Sequence, residues 1–409
     1  MGAGAILLFW LAGAGSPATA PDVSETLRRL GDADLVVVND PAGARPVRVL
    51  LATRVSAPAE KVRQVIADPG SYHKAIPSFE RVEVISRHER EPGVVDLKVA
   101  WELEVPLWNL KGKLWLRAQP NGVDLELMEG DFAPGLFHLT VRKENSGKKG
   151  SSVDQTVQPS VLAIEGFANV RDANWITRRM TRRSPHAEPA ITVAATYVLL
   201  KSLAHLAEGA LPARPVAVMR APEPSSLNGV AAGQIANDSI KERQVLAAVH
   251  SRADGRLERV EVAVHVTAPV EMSTRRALRL ETFHAMPGWK KITLASGKHE
   301  ACKDSATLCW DVGNNLPVFS LDGIWKIWPR PWRARMVDGD TQGAVMGLDV
   351  LPGKPSERSI VVLSLHPRLD LAGYVARKLI AAEPYLEHGL ALALTLVEAV
   401  ALGPALEKD

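Results

Sequence analysis

Residues 101–141 (WELEVPLWNLKGKLWLRAQPNGVDLELMEGDFAPGLFHLTV) return in diverged form at 310–350 (WDVGNNLPVFSLDGIWKIWPRPWRARMVDGDTQGAVMGLDV). Trp101 answers Trp310, Pro106 answers Pro317, Leu110 answers Leu321, and Gly112 answers Gly323. Further on, Gly130-Asp131 answers Gly339-Asp340, Leu139 answers Leu348, and Val141 answers Val350. The spacing holds near 210 residues: 209 from Trp101 to Trp310, 211 from Gly112 to Gly323, 209 from Val141 to Val350. So many matches in order at one spacing mark a duplicated unit. Whatever this chain folds into is built from two copies of one plan.

The repeat extends both ways. Val55-Ser-Ala-Pro58 matches Val266-Thr-Ala-Pro269, and Pro77 matches Pro287. Downstream, Glu188-Pro189 matches Glu383-Pro384 at a spacing of only 195, which assigns about 14 extra residues to the first copy. The Gly/Ser/Lys run at 143–155 has the composition of such an insertion, a solvated hairpin tip. The chain of 409 residues then divides into an export signal at 1–20, a first domain at 21–209, a linker at 210–237 and a second domain at 238–409. The linker assignment rests on a Pro/Ala/Gly-rich stretch without sustained periodicity.

Each copy reads as strands closed by a helix. Residues 22–29 form a short leading helix capped by Asp22 or Ser24, and 35–38 a short strand. Val47, Val49, Leu51, Thr53 and Val55 alternate with polar neighbours, which predicts a strand buried on one face; Val260, Val262, Val264 and Val266 repeat it. Residues 57–67 have helical spacing behind Pro58. Strands follow over 79–86, 94–105, 108–119, 122–129, 131–142 and 157–167. A helix at 189–207, with Pro189 at its start and Gly209 past its end, closes the copy; 384–402 before Gly403 is its counterpart. A meander of six or seven antiparallel strands with one apolar face needs a cover, and these helices supply it. Alanines at 194, 195, 391 and 393 leave room beneath. The fold class is α+β: two tandem domains, each a curved antiparallel sheet around a long C-terminal helix.

The strand end VSAP, then AEKVRQVIADPGSYHKAIP over 59–77 and ERVEV over 80–84, resembles the START-like (SRPBCC) superfamily of polyketide cyclase/dehydrase-type and coenzyme Q-binding proteins. The resemblance covers roughly residues 35–208 and 245–403. It implies a helix-grip fold with an apolar cavity between sheet and helix. The second copy departs from it, with Leu280-Glu281 in place of Asp68-Pro69 and Phe283 as the aromatic nearest to Tyr72. The superfamily holds carriers, cyclases and regulators alike, so fold does not fix function.

The cavity candidates are Trp101, Leu103, Phe137, Leu139, Ala194, Ala195 and Val198 in the first copy, and Trp310, Val312, Met346, Leu348, Ala391 and Leu394 in the second. Trp101 and Trp310 fall at matching places, as cavity walls or as plain core. Trp115 falls on a polar face. Trp325, Trp328 and Trp332 stand among Lys326, Arg330, Arg333 and Arg335, a pattern for an anionic lipid surface or a solvated edge.

Other classes of function find little support. Net charge is only +3, with no basic stripe and interleaved aromatics, so no nucleic acid partner is expected. No phosphate-loop, dinucleotide, zinc-protease or nucleophile-elbow motif occurs, and the eleven histidines lack metal-ligand spacing, each reading as a surface or satisfied side chain. Glu102 and Glu104 share a strand face, but it is the polar one. No cofactor or metal is expected. The apolar core Ala5–Ala12 and the small-residue site Ala18-Thr19-Ala20 read as an export signal, cleaved or retained as an anchor, with the periplasm or exterior as destination. Cys302 and Cys309 would pair in an oxidising compartment; two buried thiols are the alternative. The expected function is binding and transport of a hydrophobic small molecule (a lipid, sterol or quinone-like compound), by a monomer with peripheral membrane contact. The alternatives are an aromatase/cyclase-like enzyme and a scaffold whose cavities are filled by side chains.

Overall fold

The computed structural model describes residues 22–39, 46–105, 108–144, 158–171, 173, 175–183, 186–209, 222–284, 286, 289–295, 299–304, 306–314, 322–383 and 385–408. The expected signal at 1–20, the insertion tip at 145–157, linker residues 210–221, and Pro106, Pro287, Pro317, Leu321 and Pro384 of the repeat lie outside the described residues.

The first copy supplies β1 (Asp34–Asn39), β2 (Arg48–Val55), β3 (Phe79–Glu91), β4 (Val94–Val105), β5 (Trp108–Gln119), β6 (Gly122–Gly130), β7 (Phe132–Lys143) and β8 (Ser160–Asn169). The second supplies β9 (Gln244–Ser251), β10 (Leu257–Val266), β11 (Trp289–Leu294), β12 (Leu308–Asn314), β13 (Gly323–Pro329), β14 (Trp332–Gly339), β15 (Val345–Pro352) and β16 (Ser359–His366). All sixteen join one antiparallel sheet in the order β3-β4-β5-β6-β7-β8-β2-β1-β9-β10-β16-β15-β14-β13-β12-β11. The two expected sheets are therefore one. β1 pairs with β9, and Val36 lies opposite Ala247. Those two residues hold the same place in their own hairpins, opposite Leu51 and Val262. A pseudo-twofold axis thus passes through the seam. Two apolar edges that would each leave a row of unpaired N–H and C=O groups satisfy one another there.

Among the described residues the helices on the sheet are α1 (Val23–Leu30), α2 (Ala59–Ala67), α3 (Tyr72–Ala75), α4 (Trp175–Arg183), α5 (Ala187–Glu208), α6 (Val230–Ser239), α7 (Val270–Arg276), α8 (Leu280–Phe283), α9 (Tyr374–Ala382) and α10 (Leu386–Glu407). The carboxylate of Asp22 caps α1 by accepting from the amides of Ser24 and Glu25. α1 and α6 cover the outer face at the seam: Leu27, Ile235 and Ala236 pack on Leu35, Val37, Leu246 and Ala248. Arg29 and Asp238 tie them at 2.9 Å. This corrects two expectations. The stretch at 210–237 is not all linker, since α6 occupies its end and belongs to a core. β2 is not buried on one face only, because Leu50 and Ala52 enter this outer core while Val49 and Leu51 enter the inner one.

The long helices α5 and α10 lie side by side on the inner face, α5 across β2 and β8, α10 across β9, β10 and β16. Gly389 permits the close approach, since a Cβ there would stand 2.9 Å from the carbonyl oxygen of Ala194. Each helix ends on a glutamate that accepts the amide after its copy's second strand: Glu208 from Ser56 at 2.8 Å, Glu407 from Thr267 at 2.7 Å. That shared anchor explains why α10 runs through Gly403 and Pro404 instead of stopping before Gly403. It also resets the helix spacing to 199 residues (208 to 407), a value repeated by Thr196 and Thr395, each bonded to a carbonyl one turn back. Against the 209 of Val141 and Val350, the first copy holds about ten extra residues rather than 14.

The repeated glycines meet across strands. Gly112 lies opposite Gly130 and Gly323 opposite Gly339, and a Cβ on any of the four would fall within 2.4 Å of a backbone oxygen. This fixed corner corrects the tryptophan match. Trp101 pairs with Gly112, but Val312 pairs with Gly323 and Trp310 pairs with Trp325. Trp101 therefore corresponds to Val312, and Trp310 to Val99. Tyr72 corresponds in role to Thr282 rather than Phe283: their hydroxyls donate to the carbonyls of Ile66 and Arg276, each at 2.7 Å. Cys302 and Cys309 form a disulfide beside Ala295 and Ile324. The free-thiol alternative ends there.

Candidate functional site

Among the described residues, the interior of the second copy is crowded with aromatic side chains. Trp289, Trp310 and Trp332 gather around Phe283, whose ring centre lies 4.9 Å from that of Trp310 and 5.3 Å from that of Trp332, and Trp325 stacks on Trp289. Met336, Met346 and Leu348 pack among them, and Val312, Ala391 and Leu394 are buried in the same core. A cavity of about 10 Å3 remains between Trp289, Trp325, Met346, Leu394 and Glu398, room for the centre of about one water molecule. Trp325 and Trp332 thus belong to the core and not to a basic surface patch, because alternation along β13 and β14 turns them inward. Arg333 is buried too, paired with Asp349 at 2.8 Å, while Arg335 pairs with Glu223. Of Trp325, Trp328 and Trp332, Trp328 has a cationic neighbour at its ring among the described residues, Lys326 at 5.6 Å. On the other copy, Lys98 stands 6.0 Å from the ring of half-buried Trp115.

The strand registers and the helix spacing carry this small cavity onto the first copy. Trp289 becomes Phe79, Trp325 becomes Leu114, Pro367 becomes Ala168, Leu394 becomes Ala195 and Glu398 becomes Leu199. Every one of these replacements is smaller or apolar. Met346 and Leu365 become Phe137 and Gly166, and there the Phe137 ring leans over the glycine. At four of the first five places the exposures follow the sizes, while Ala168 stays buried. Trp289, Trp325, Leu394 and Glu398 are buried, whereas Phe79, Leu114 and Leu199 are half-buried and Ala195 is exposed. Val82, Leu127, Phe132 and Ile191 are likewise only partly covered while packing on the inner core. α5 rests on β2 and β8, with α2 and α3 packed against it and against β3, β5, β6 and β7, and the partly covered apolar side chains around them outline a candidate groove on the inner face.

The candidates of the first copy divide accordingly. Leu103 is half-buried and Ala195 exposed along the groove; Phe137, Leu139 and Val198 are buried behind it. Ala194 is buried, and its backbone meets Gly389 at the helix crossing. Trp101 shares the inner pleat face with Val99 and lies flat over Gly112, its Cζ2 and Cε2 atoms 2.8 and 3.1 Å from where a Cβ would be. The residue is 7% exposed, and its Nε1–H has no hydrogen-bond partner among the described residues, a state it shares with Trp289, Trp325 and Trp332 of the second copy.

A second cluster spans the seam. The Asp34 carboxylate on β1 accepts from Thr53 at 2.5 Å and Tyr197 at 2.6 Å, with the Lys201 ammonium 3.1 Å away. The ring of His388 on α10 stacks on Tyr197, and its Nε2 meets the hydroxyl of Ser251 at 3.2 Å. Burial, with Lys201 adding to it, pushes His388 down to about 3, so it is neutral. Burial and the charge of Asp34 hold the Tyr197 phenol well above its usual value. Nearby, Ser78 of the first copy donates to Glu383 of the second at 3.0 Å, and burial still lifts Glu383 to about 7. Glu398, fully buried beside Trp289, is raised well above the carboxylate range by the same cause. Reading every histidine as surface or satisfied missed His388, which is buried with Nδ1 unpartnered. The signal available was a lone charge in an apolar run: Asp34 before LVVV, Lys201 inside α5.

No protein-family model matches the chain, and no curated protein matches it at a significant level. Among solved structures, the Zhui aromatase/cyclase from Streptomyces sp. R1128 is 16% identical over 39% of this chain and 93% of its own, with a TM-score of 0.28. A START superfamily protein from Mycobacterium smegmatis is 12% identical over 40% of this chain and 97% of its own (TM-score 0.27). The di-domain ARO/CYC StfQ from the steffimycin biosynthetic pathway is 8% identical over 85% of this chain and 97% of its own, with a TM-score of 0.25. These likenesses are too distant to assign a fold or an activity.

Proposed function

We propose that the chain binds a hydrophobic small molecule in the first-copy groove and carries it between donor and acceptor, as an exported protein. One observation supports this above the rest: side chains that are closed over in the second copy stay open to solvent at the matching places of the first. An apolar surface left uncovered costs about 25 cal/mol per Å2 relative to burial, so a ligand covering ~200 Å2 would gain about 5 kcal/mol. The second copy takes the filled-scaffold role and steadies the first through the shared sheet.

The test is native mass spectrometry of the purified chain with extraction of whatever it retains. One bound apolar molecule per chain, absent from Ala195→Trp, is the expected result. An empty wild-type chain that also ignores sterols, phospholipids and quinones would remove the proposal. Aromatase/cyclase-type chemistry in the same groove is the competing proposal; recovery of the added ligand unchanged after prolonged incubation separates the two.

A further inference from the structure

We infer that α4 and α9 form one docking face that holds the chain against an anionic lipid bilayer, on the side of the sheet that carries the long helices. The inference does not rest on the groove. The helix spacing of 199 residues carries α4 onto α9 from end to end (175 to 374, 183 to 382), so Trp175 answers Tyr374. Thr177 and Thr181 of α4 are buried, as are Ala376 and Ile380 at the same places of α9. The opposite face is open in both. Arg178, Arg179 and Arg182 are exposed on α4, and Arg377, Lys378 and Ala381 answer them, also exposed, on α9. The interiors of the copies have diverged in size, yet this outward pair of cations stands in both, and an aromatic residue opens both helices.

Position and charge define the partner. α4 packs on α5 and α9 on α10, and both long helices lie on the inner face. The pseudo-twofold axis crosses the sheet at the seam, so it sets α4 and α9 at equal height on that side. Two like patches at one height suit a flat partner. The acidic side chains that flank them do not cancel the charge: Glu188, Glu383 and Glu387 are buried, and Asp370 is paired with Arg368 at 2.9 and 3.0 Å. Tyr374 is 68% and Leu371 42% exposed, and the Lys378 ammonium stands 5.5 Å from the centre of the Tyr374 ring. An exposed aromatic ring with cations beside it is at home between headgroups and acyl chains. Each Lys or Arg brought near an anionic leaflet strengthens binding about fivefold. Glu383 directly follows α9 and accepts from Ser78, the neighbour of Phe79, so docking through α9 brings the rim of the candidate groove toward the lipid.

The experiment is flotation of the full chain with vesicles of phosphatidylcholine alone, and with about one-third phosphatidylglycerol added. Wild type should float with the anionic vesicles and stay behind with the neutral ones. Arg179→Ala and Lys378→Ala should each weaken binding about fivefold, and the two together about 25-fold. Dansyl labels on Arg182→Cys and Ala381→Cys should both shift to the blue on the anionic vesicles. A label on Gln234→Cys of α6, on the outer face, should not. Equal flotation with neutral vesicles, an effect confined to one of the two helices, or a blue shift at position 234 alone would overturn the inference. So would a short DNA duplex bound as tightly as the vesicles, which would make the patches a general polyanion site. Should the alanine variants fail to fold, the labels at 182, 234 and 381 decide.

Discussion

Ala195 and Leu199 leave open what Leu394 and Glu398 close one repeat later, so the difference between the copies comes down to a handful of side chains. Leu199→Trp should therefore abolish uptake of an apolar fluorescent probe while changing urea stability by under about 1 kcal/mol, because the new ring enters open space; Leu394→Ala, by contrast, should cost ~2–5 kcal/mol and leave probe uptake intact. At Glu383 the folded value of about 7 stands above the ordinary 4.5, the direction burial dictates. Such a group favours the fold at acid pH; its contribution is complete below about 4.5 and lost as pH rises through 7, a swing of roughly 3 kcal/mol. His388 has the opposite sign, since a histidine held neutral costs stability as pH falls from 6.5 toward 3. Urea titrations from pH 4 to 8 on Glu383→Gln should show that the decline between pH 5 and 7 is shallower than in wild type. An unchanged slope would mean that the carboxyl is ionised in the fold.

At the scale of elements, the helix crossing is the tightest joint. Gly389→Leu should cost about 1–3 kcal/mol in equilibrium unfolding, because its side chain would drive α10 off the backbone of α5; a neutral result would mean that the helices do not touch there. Most elements were legible from the sequence, since alternation and the Pro/Gly punctuation marked β2, β4, β5 and α5 to within a few residues. What was not legible were distances that no local pattern encodes. The end of α10 depends on Glu407 reaching Thr267, so Gly403 misled as a stop signal. The Trp101–Trp310 match was a true similarity of letters, but the glycine corner sets the register, and it places Val312 opposite Gly323. The groove itself shows only when one copy is laid on the other in three dimensions.

Across the whole molecule, the duplication reads as a fused pair about the axis between Val36 and Ala247. The sequence announced two copies but not their union, because the outward edges of β1 and β9 look like any apolar strand until each is seen as the other's partner. Val37 and Leu246 pack in the outer core that α1 and α6 share, so the halves should unfold in one transition; Val37→Asp should lower that single transition rather than split it, as read by calorimetry. The central claim is one of place: the first copy holds the ligand, and the second does not. Crystals soaked in 1-bromononane test it directly through the anomalous signal of bromine. The account predicts bromine density in the groove on the inner face of the first copy, near Trp101, Leu114 and Leu199, at one site per chain. Density among the tryptophans of the second copy, or no ordered bromine in the groove, would contradict it.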